Sequence, residues 1–292
     1  MTKTFLKITF AAVVVLGAYS CKKNNYVVDQ DIVAPDFVKF NVRATADTAA
    51  VYYVRNTNEP FKIPIGVTNV SSVDRTVQLS YTSNTAVAGQ QYNAPTSITI
   101  PAGQTLDTLE ITGLFSGYSS STRIDTLFIK ITGGDIPVNS YWKGYRLIMR
   151  KYCDVDFNSF AGDYDNTLEY TSSGTVGWGP YTTTLSNIVS TGSMKATADI
   201  ANLYDYGGSV NAQFDWTNPA AFKVTIPEQN TGALVVSGGV TYALWMRTNG
   251  SASTFSSCEN TITVRIDAIA KDPSTGAVAG NFSTNYKIVM NR

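Results

Sequence analysis

Two antiparallel all-β bodies in tandem are what this 292-residue sequence predicts. Apolar residues recur at every second position through most of the chain, the mark of half-buried strands. Thr, Ser, Gly, Val, Ile and Tyr are abundant, and no sustained apolar stripe of helical period appears. Without a leader of some 20 residues the chain keeps about 270, a length that favours two domains.

The first body is expected over residues 32–151. Phe61, Ile63, Ile65 and Val67 alternate with Lys62, Pro64 and Gly66, and Val77, Leu79 and Tyr81 alternate with Gln78 and Ser80. Ile98 and Ile100 run into the turn Pro101-Ala102-Gly103-Gln104, after which Leu109 and Ile111 resume. Leu127, Ile129 and Ile131 follow, and Tyr145, Leu147 and Met149 close the series. Each run has one apolar face that needs a second sheet to cover it, so an immunoglobulin-like β-sandwich is the natural solution.

A family resemblance supports this. Thr85-Ala86-Val87-Ala88-Gly89-Gln90-Gln91-Tyr92, followed by Ile98 to Gln104 and the strand Thr108 to Thr112, resembles the Calx-β pattern over residues 51–133. The resemblance implies the fold. It does not carry over a metal, because Gln91 stands where the family commonly has Asp and the family's acidic calcium clusters are missing. No metal and no cofactor are expected.

The second body, residues 152–292, alternates again. Val210, Ala212, Phe214 and Trp216 share a face, as do Phe222, Val224 and Ile226. Val240, Tyr242, Leu244 and Met246 form another, then Ile262, Val264 and Ile266, then Tyr286, Ile288 and Met290. Turns fall at Thr217-Asn218-Pro219 and Asp272-Pro273-Ser274-Thr275-Gly276. Consecutive strands without helices predict a meander, either a second sandwich or a lipocalin-like barrel. Ala196 to Tyr204 is the one stretch where a turn or two of helix would fit.

The N-terminus gives the address. Lys3 and Lys7 precede the apolar run Ile8 to Ala18, and Ala18-Tyr19-Ser20-Cys21 ends it. This reads as a signal peptide over residues 1–20. The cysteine at its exit resembles the bacterial lipobox, which implies a lipidated Cys21 and a polar tether over residues 21–31. With Cys21 assigned to lipid, Cys153 and Cys258 remain as an even pair in an exported chain and are the disulfide candidates. The whole layout, with the second body opening Cys153-Asp154 and running to Phe160-Ala161-Gly162-Asp163-Tyr164, is similar to Bacteroidetes-type outer-membrane lipoproteins. That likeness implies an outer-membrane lipoprotein, at the cell surface or the periplasmic face. Its partners would be the membrane through the lipid anchor and a glycan ligand or outer-membrane transport complex.

Composition limits the chemistry. The 22 basic and 22 acidic residues cancel, leaving no basic field for nucleic acid. There is no histidine, which removes His-dependent triads and zinc sites. Asp154-Val155-Asp156-Phe157-Asn158 imitates an EF-hand opening, but Ser159 replaces the required Gly. The simpler account is a strand with Val155 and Phe157 inward and the acids in water. No carboxylate pair singles itself out as catalytic, so no catalytic residue is assigned. Aromatics are the remaining feature. Trp178, in Gly177-Trp178-Gly179-Pro180-Tyr181, reads as a loop residue, Tyr204 and Tyr206 flank Asp205 before Gly207-Gly208, and Trp245 faces away from Tyr242 and Leu244. Trp178, Tyr181, Tyr204, Tyr206 and Trp245 are therefore the candidate ligand platform, with sugar rings the class that stacks on exposed aromatics. The leading reading is a non-catalytic binding or accessory module. The alternatives are a structural or adhesive spacer and, third, a glycan-active enzyme.

Overall fold

The structure is a computed structural model and describes residues 35–42, 49–141, 143–250 and 252–292. The expected signal peptide, Cys21 and the tether lie outside the described residues. Among the described residues no helix is long and apolar enough to cross a membrane.

The N-terminal body is a β-sandwich. One sheet has the order β1 (Val38–Phe40), β3 (Phe61–Val67), β7 (Leu106–Gly113), β5 (Tyr92–Asn93). The other runs β2 (Ala49–Val54), β9 (Gly144–Lys151), β8 (Ile124–Gly134), β4 (Arg75–Thr82), β6 (Ser97–Ile100). Pairing is antiparallel except for β2 on β9, which is parallel. The period-two residues meet between the sheets: Ile63, Ile65, Leu109 and Ile111 pack opposite Val77, Leu79, Leu127, Ile129, Leu147 and Met149, all buried. Gln91 is buried too. Its Oε1 accepts from the Val87 N–H and its Nε2 donates to the Gly117 carbonyl, both at 2.9 Å. The side chain that replaces the family's acid is thus spent on joining two loops.

The C-terminal body is a closed meander, which resolves the choice between sandwich and barrel. Its strands are β10 (Gly162–Tyr170), β11 (Val176–Gly192), β12 (Lys195–Ala201), β13 (Ser209–Asp215), β14 (Lys223–Thr225), β15 (Gln229–Ser237), β16 (Val240–Thr248), β17 (Thr254–Ser256), β18 (Thr261–Lys271) and β19 (Val278–Asn291). Neighbours pair antiparallel, with β14 meeting β17 and β15 meeting β16, so β14 with β15, and β16 with β17, each act as one interrupted strand. β18 pairs with both β16 and β17, and β19 pairs with both β18 and β10, which closes the ring. Closure leaves a filled interior in which Phe157, Phe160, Phe214 and Phe255 form an aromatic knot with centroids 4.5–5.9 Å apart. Trp216 stacks on Phe157 at 5.5 Å, packed against the core as its phase predicts.

Three local expectations need correction. Ala196 to Ala201 is strand rather than helix, because Ala196, Ala198 and Ile200 alternate into the barrel. Phe157 does point inward, but from the short 3-10 turn Phe157–Phe160, not from a strand. Asp156 caps that turn by accepting from the Asn158 N–H, while Asp163 and Asp165 accept from Thr184 and Thr182 hydroxyls. Trp178 lies within β11 rather than in a loop.

Cys153 and Cys258 are bonded, with Cα atoms 5.2 Å apart. The bridge ties the segment leaving β9 to the β17–β18 turn. Beside it Ser121 of the sandwich donates its N–H and hydroxyl to Glu259 at 2.9 and 2.7 Å, and Arg55 pairs with Asp154 at 2.7 Å.

Candidate functional site

A meander barrel sends alternate turns to opposite ends. The turns after β10, β12, β15 and β18 share one end, and the turns after β13 and β17, with Cys258, share the other. The candidate site is at the first end, away from the sandwich.

Its position follows from a change in the barrel lining. Low in β10, Tyr164 faces the apolar core. The pairing with β11 then shifts register between Tyr164 and Thr167, and Thr167 and Glu169 become the inward residues, both buried. A β-bulge turns side chains in this way by adding a residue to one strand. A second shift follows between Thr167 and Glu169, where β11 carries the extra residue, and Gly179 permits that one, since its φ is +106° and a Cβ there would lie 2.5 Å from the Thr167 carbonyl oxygen. Trp178 precedes it, paired across from Glu169 and 58% exposed.

The other wall is the β12–β13 turn. Asn202 and Asp205 adopt positive φ, which Asn and Asp tolerate, and Gly207 and Gly208 do the same. Leu203 is buried, the Asn202 side chain donates to the Thr182 carbonyl at 2.9 Å, and its oxygen accepts from the Gly207 N–H at 3.0 Å. The turn is therefore pinned to β11 before any ligand arrives.

Together these elements line a 350 Å³ cavity formed by Glu169, Trp178, Tyr204, Asp205, Tyr206 and Tyr286. Trp178 Nε1 donates to Asp205 Oδ2 at 2.7 Å, which fixes the indole plane. Tyr204 sits 5.5 Å from Tyr206 and 5.5 Å edge-on to Tyr286, and its hydroxyl is 2.5 Å from that of Ser283. Tyr206, 56% exposed, offers an open ring face. At the floor the Tyr181 hydroxyl lies 2.9 Å from both Glu169 Oε1 and the Leu203 carbonyl. Burial pushes the Glu169 carboxyl above the usual carboxylate range, against the opposing hydrogen bonds of Tyr181 and Tyr286. Burial, and after it the same acid, raises the Tyr286 phenol to about 12.

Of the five aromatics predicted, Trp178, Tyr204 and Tyr206 converge in this cavity, and Tyr181 supports it from beneath. Trp245 does not join them. It faces outward, as its phase predicts, but the Lys271 ammonium covers its ring at 3.8 Å. Glu169 and Tyr286 were not foreseen as site residues. Strict alternation from Tyr164 turns Glu169 outward, and Tyr286 reads simply as a core strand residue. A larger cleft of 480 Å³ lies at the junction with the sandwich, lined in part by Lys151, Tyr152, Phe222 and Glu259. Glu259 is engaged there by Ser121, and the cleft has no exposed aromatic face comparable to Trp178.

No protein-family model and no curated protein sequence matches this chain. Solved structures do align with it. The Calx CBD1 domain is 12% identical, covering 40% of this chain and 98% of its own, with a TM-score of 0.30. A Bacteroides ovatus protein of unknown function is 15% identical over 87% of this chain and 89% of its own, with a TM-score of 0.32. A Bacteroides ovatus protein described, provisionally, as carbohydrate binding is 10% identical over 88% of this chain and 75% of its own, with a TM-score of 0.34. At such scores the fold assignment rests on the strand pairings themselves.

Proposed function

We propose that the protein is a non-catalytic binding protein of the cell envelope, tethered through a lipidated Cys21, that takes a glycan at the open end of its barrel. The observation that carries this reading is the pairing of two exposed rings, Trp178 and Tyr206, with fixed acceptors and phenols around one cavity. A pyranose has an apolar C–H face and a rim of hydroxyls. The rings suit the face, and Asp205, Glu169, Tyr204 and Tyr286 suit the rim. The hydrogen bonds that hold Trp178 and the β12–β13 turn mean little ordering cost on binding. In this reading the sandwich is a spacer that carries the barrel, joined to it at the barrel end opposite the site.

A panel of immobilised polysaccharides tests it. Wild type is expected to bind at least one glycan, and Trp178→Ala to bind it about tenfold more weakly or worse, as for a central aromatic contact. Absence of wild-type binding across the panel supports the spacer reading instead.

A further inference from the structure

Resting on that reading, the charge around the cavity narrows the class of sugar. Some surface carboxylates of the barrel have cationic partners: Glu228 meets Lys271 at 2.6 Å and Arg247 at 2.9 Å, and Asp215 meets Lys195 at 3.2 Å. Asp205, like Asp163, Asp165, Asp199 and Asp272, meets neutral donors instead, but it alone of these lines the cavity. Its contacts are the neutral donors Trp178 Nε1 at 2.7 Å and Asn202 Nδ2 at 3.4 Å. None of the residues lining the cavity is Lys or Arg. Lys287, next in sequence to Tyr286, lies 4.3 Å over the Tyr170 ring instead. The cavity therefore combines an unneutralised carboxylate at its rim with the electron-rich faces of Trp178, Tyr204, Tyr206 and Tyr286.

We propose that this site selects a sugar residue bearing a protonated amine over neutral or acidic sugars of the same size. An ammonium group gains attraction both from Asp205 and from the negative faces of the rings. A neutral sugar gains neither, and a uronic acid sets its own carboxylate against Asp205 with no guanidinium to offset it. N-acetylation removes the charge while keeping the ring, so it separates shape from charge.

The test is calorimetric titration of the full chain with three β-1,4-linked tetramers: 2-amino-2-deoxyglucose, its N-acetylated counterpart, and glucose. The amino tetramer is expected to bind about tenfold more tightly than either other, with the advantage shrinking as salt is raised. Asp205→Asn keeps side-chain size and tolerates the positive φ, so it is expected to bring the three affinities to a common level. Equal affinities in wild type, or a preference that survives Asp205→Asn, overturn the inference and leave sugar binding standing. Failure to bind any tetramer overturns the inference and the sugar reading together. Circular dichroism of the variant separates misfolding from lost charge, and Asp163→Asn, which removes a barrel carboxylate outside the cavity, is expected to retain the preference.

Discussion

Glu169 is a buried carboxyl held between two phenols. The Tyr181 hydroxyl lies 2.9 Å from both Glu169 Oε1 and the Leu203 carbonyl, and Tyr286 is the second phenol that hydrogen-bonds the acid. Only 5% of Glu169 is exposed, and burial outweighs those hydrogen bonds in favouring the neutral form. The consequence for stability has a definite sign. Where the folded pKa exceeds the unfolded value, set by the ordinary 4.5, the native state holds the extra proton, so stability falls as pH rises through that window. Glu169→Gln is neutral throughout. Urea midpoints are expected to move in favour of the Gln variant, relative to wild type, as pH rises above the ordinary carboxylate value. A difference that does not vary with pH contradicts the assignment.

At the scale of elements, the register shift between β10 and β11 decides where function can sit. Ahead of it the barrel lining is apolar; beyond it Thr167, Glu169 and Tyr181 make a polar floor under Trp178. A second shift follows between Thr167 and Glu169, and Gly179 is the residue that permits it. Gly179→Ala sets a Cβ 2.5 Å from the Thr167 oxygen at a φ that disfavours side chains. The expected cost is about 1–3 kcal/mol in chemical denaturation, together with loss of glycan binding as Trp178 is displaced. Wild-type stability and binding in this variant contradict the bulge account. This is also where the sequence became illegible. Val77, Leu79, Leu127 and Ile129 obey a strict period of two, so the sandwich could be read from pattern alone. The bulge in β10 inverts that pattern after Tyr164 with no compositional mark, which hid Glu169, and the glycines on either side of Trp178 made it look like a loop residue. Barrel closure was hidden for a related reason, since it depends on β19 reaching β10, a pairing between the two ends of the segment. The aromatic trio was legible because Trp178 and Tyr206 stand beside glycines, with Tyr204 in the same turn-like stretch, where a large side chain has little core to enter.

For the whole molecule, the disulfide and the candidate site occupy opposite ends of one barrel. Cys153 and Cys258 are 105 residues apart, and a bridge of that span contributes about 4–5 kcal/mol through the unfolded chain on the loop-entropy account. Cys153→Ser with Cys258→Ser is expected to lower barrel stability by that order while leaving glycan affinity near wild type at temperatures where the barrel stays folded. An affinity loss as large as that of Trp178→Ala would place the bridge within the site's support instead. The sandwich, with its own buried cluster from Val38 to Met149, gives the barrel a second body to rest on, joined by the Ser121–Glu259 and Arg55–Asp154 contacts. The most direct test of the account is fluorescence of Trp178 during titration with a glycan bound in the panel. Stacking of a sugar on the indole predicts a saturable change in wild-type emission that is absent in Trp178→Phe. Saturable binding with no change in emission, or the same change in Trp178→Phe, places the ligand elsewhere and contradicts the account.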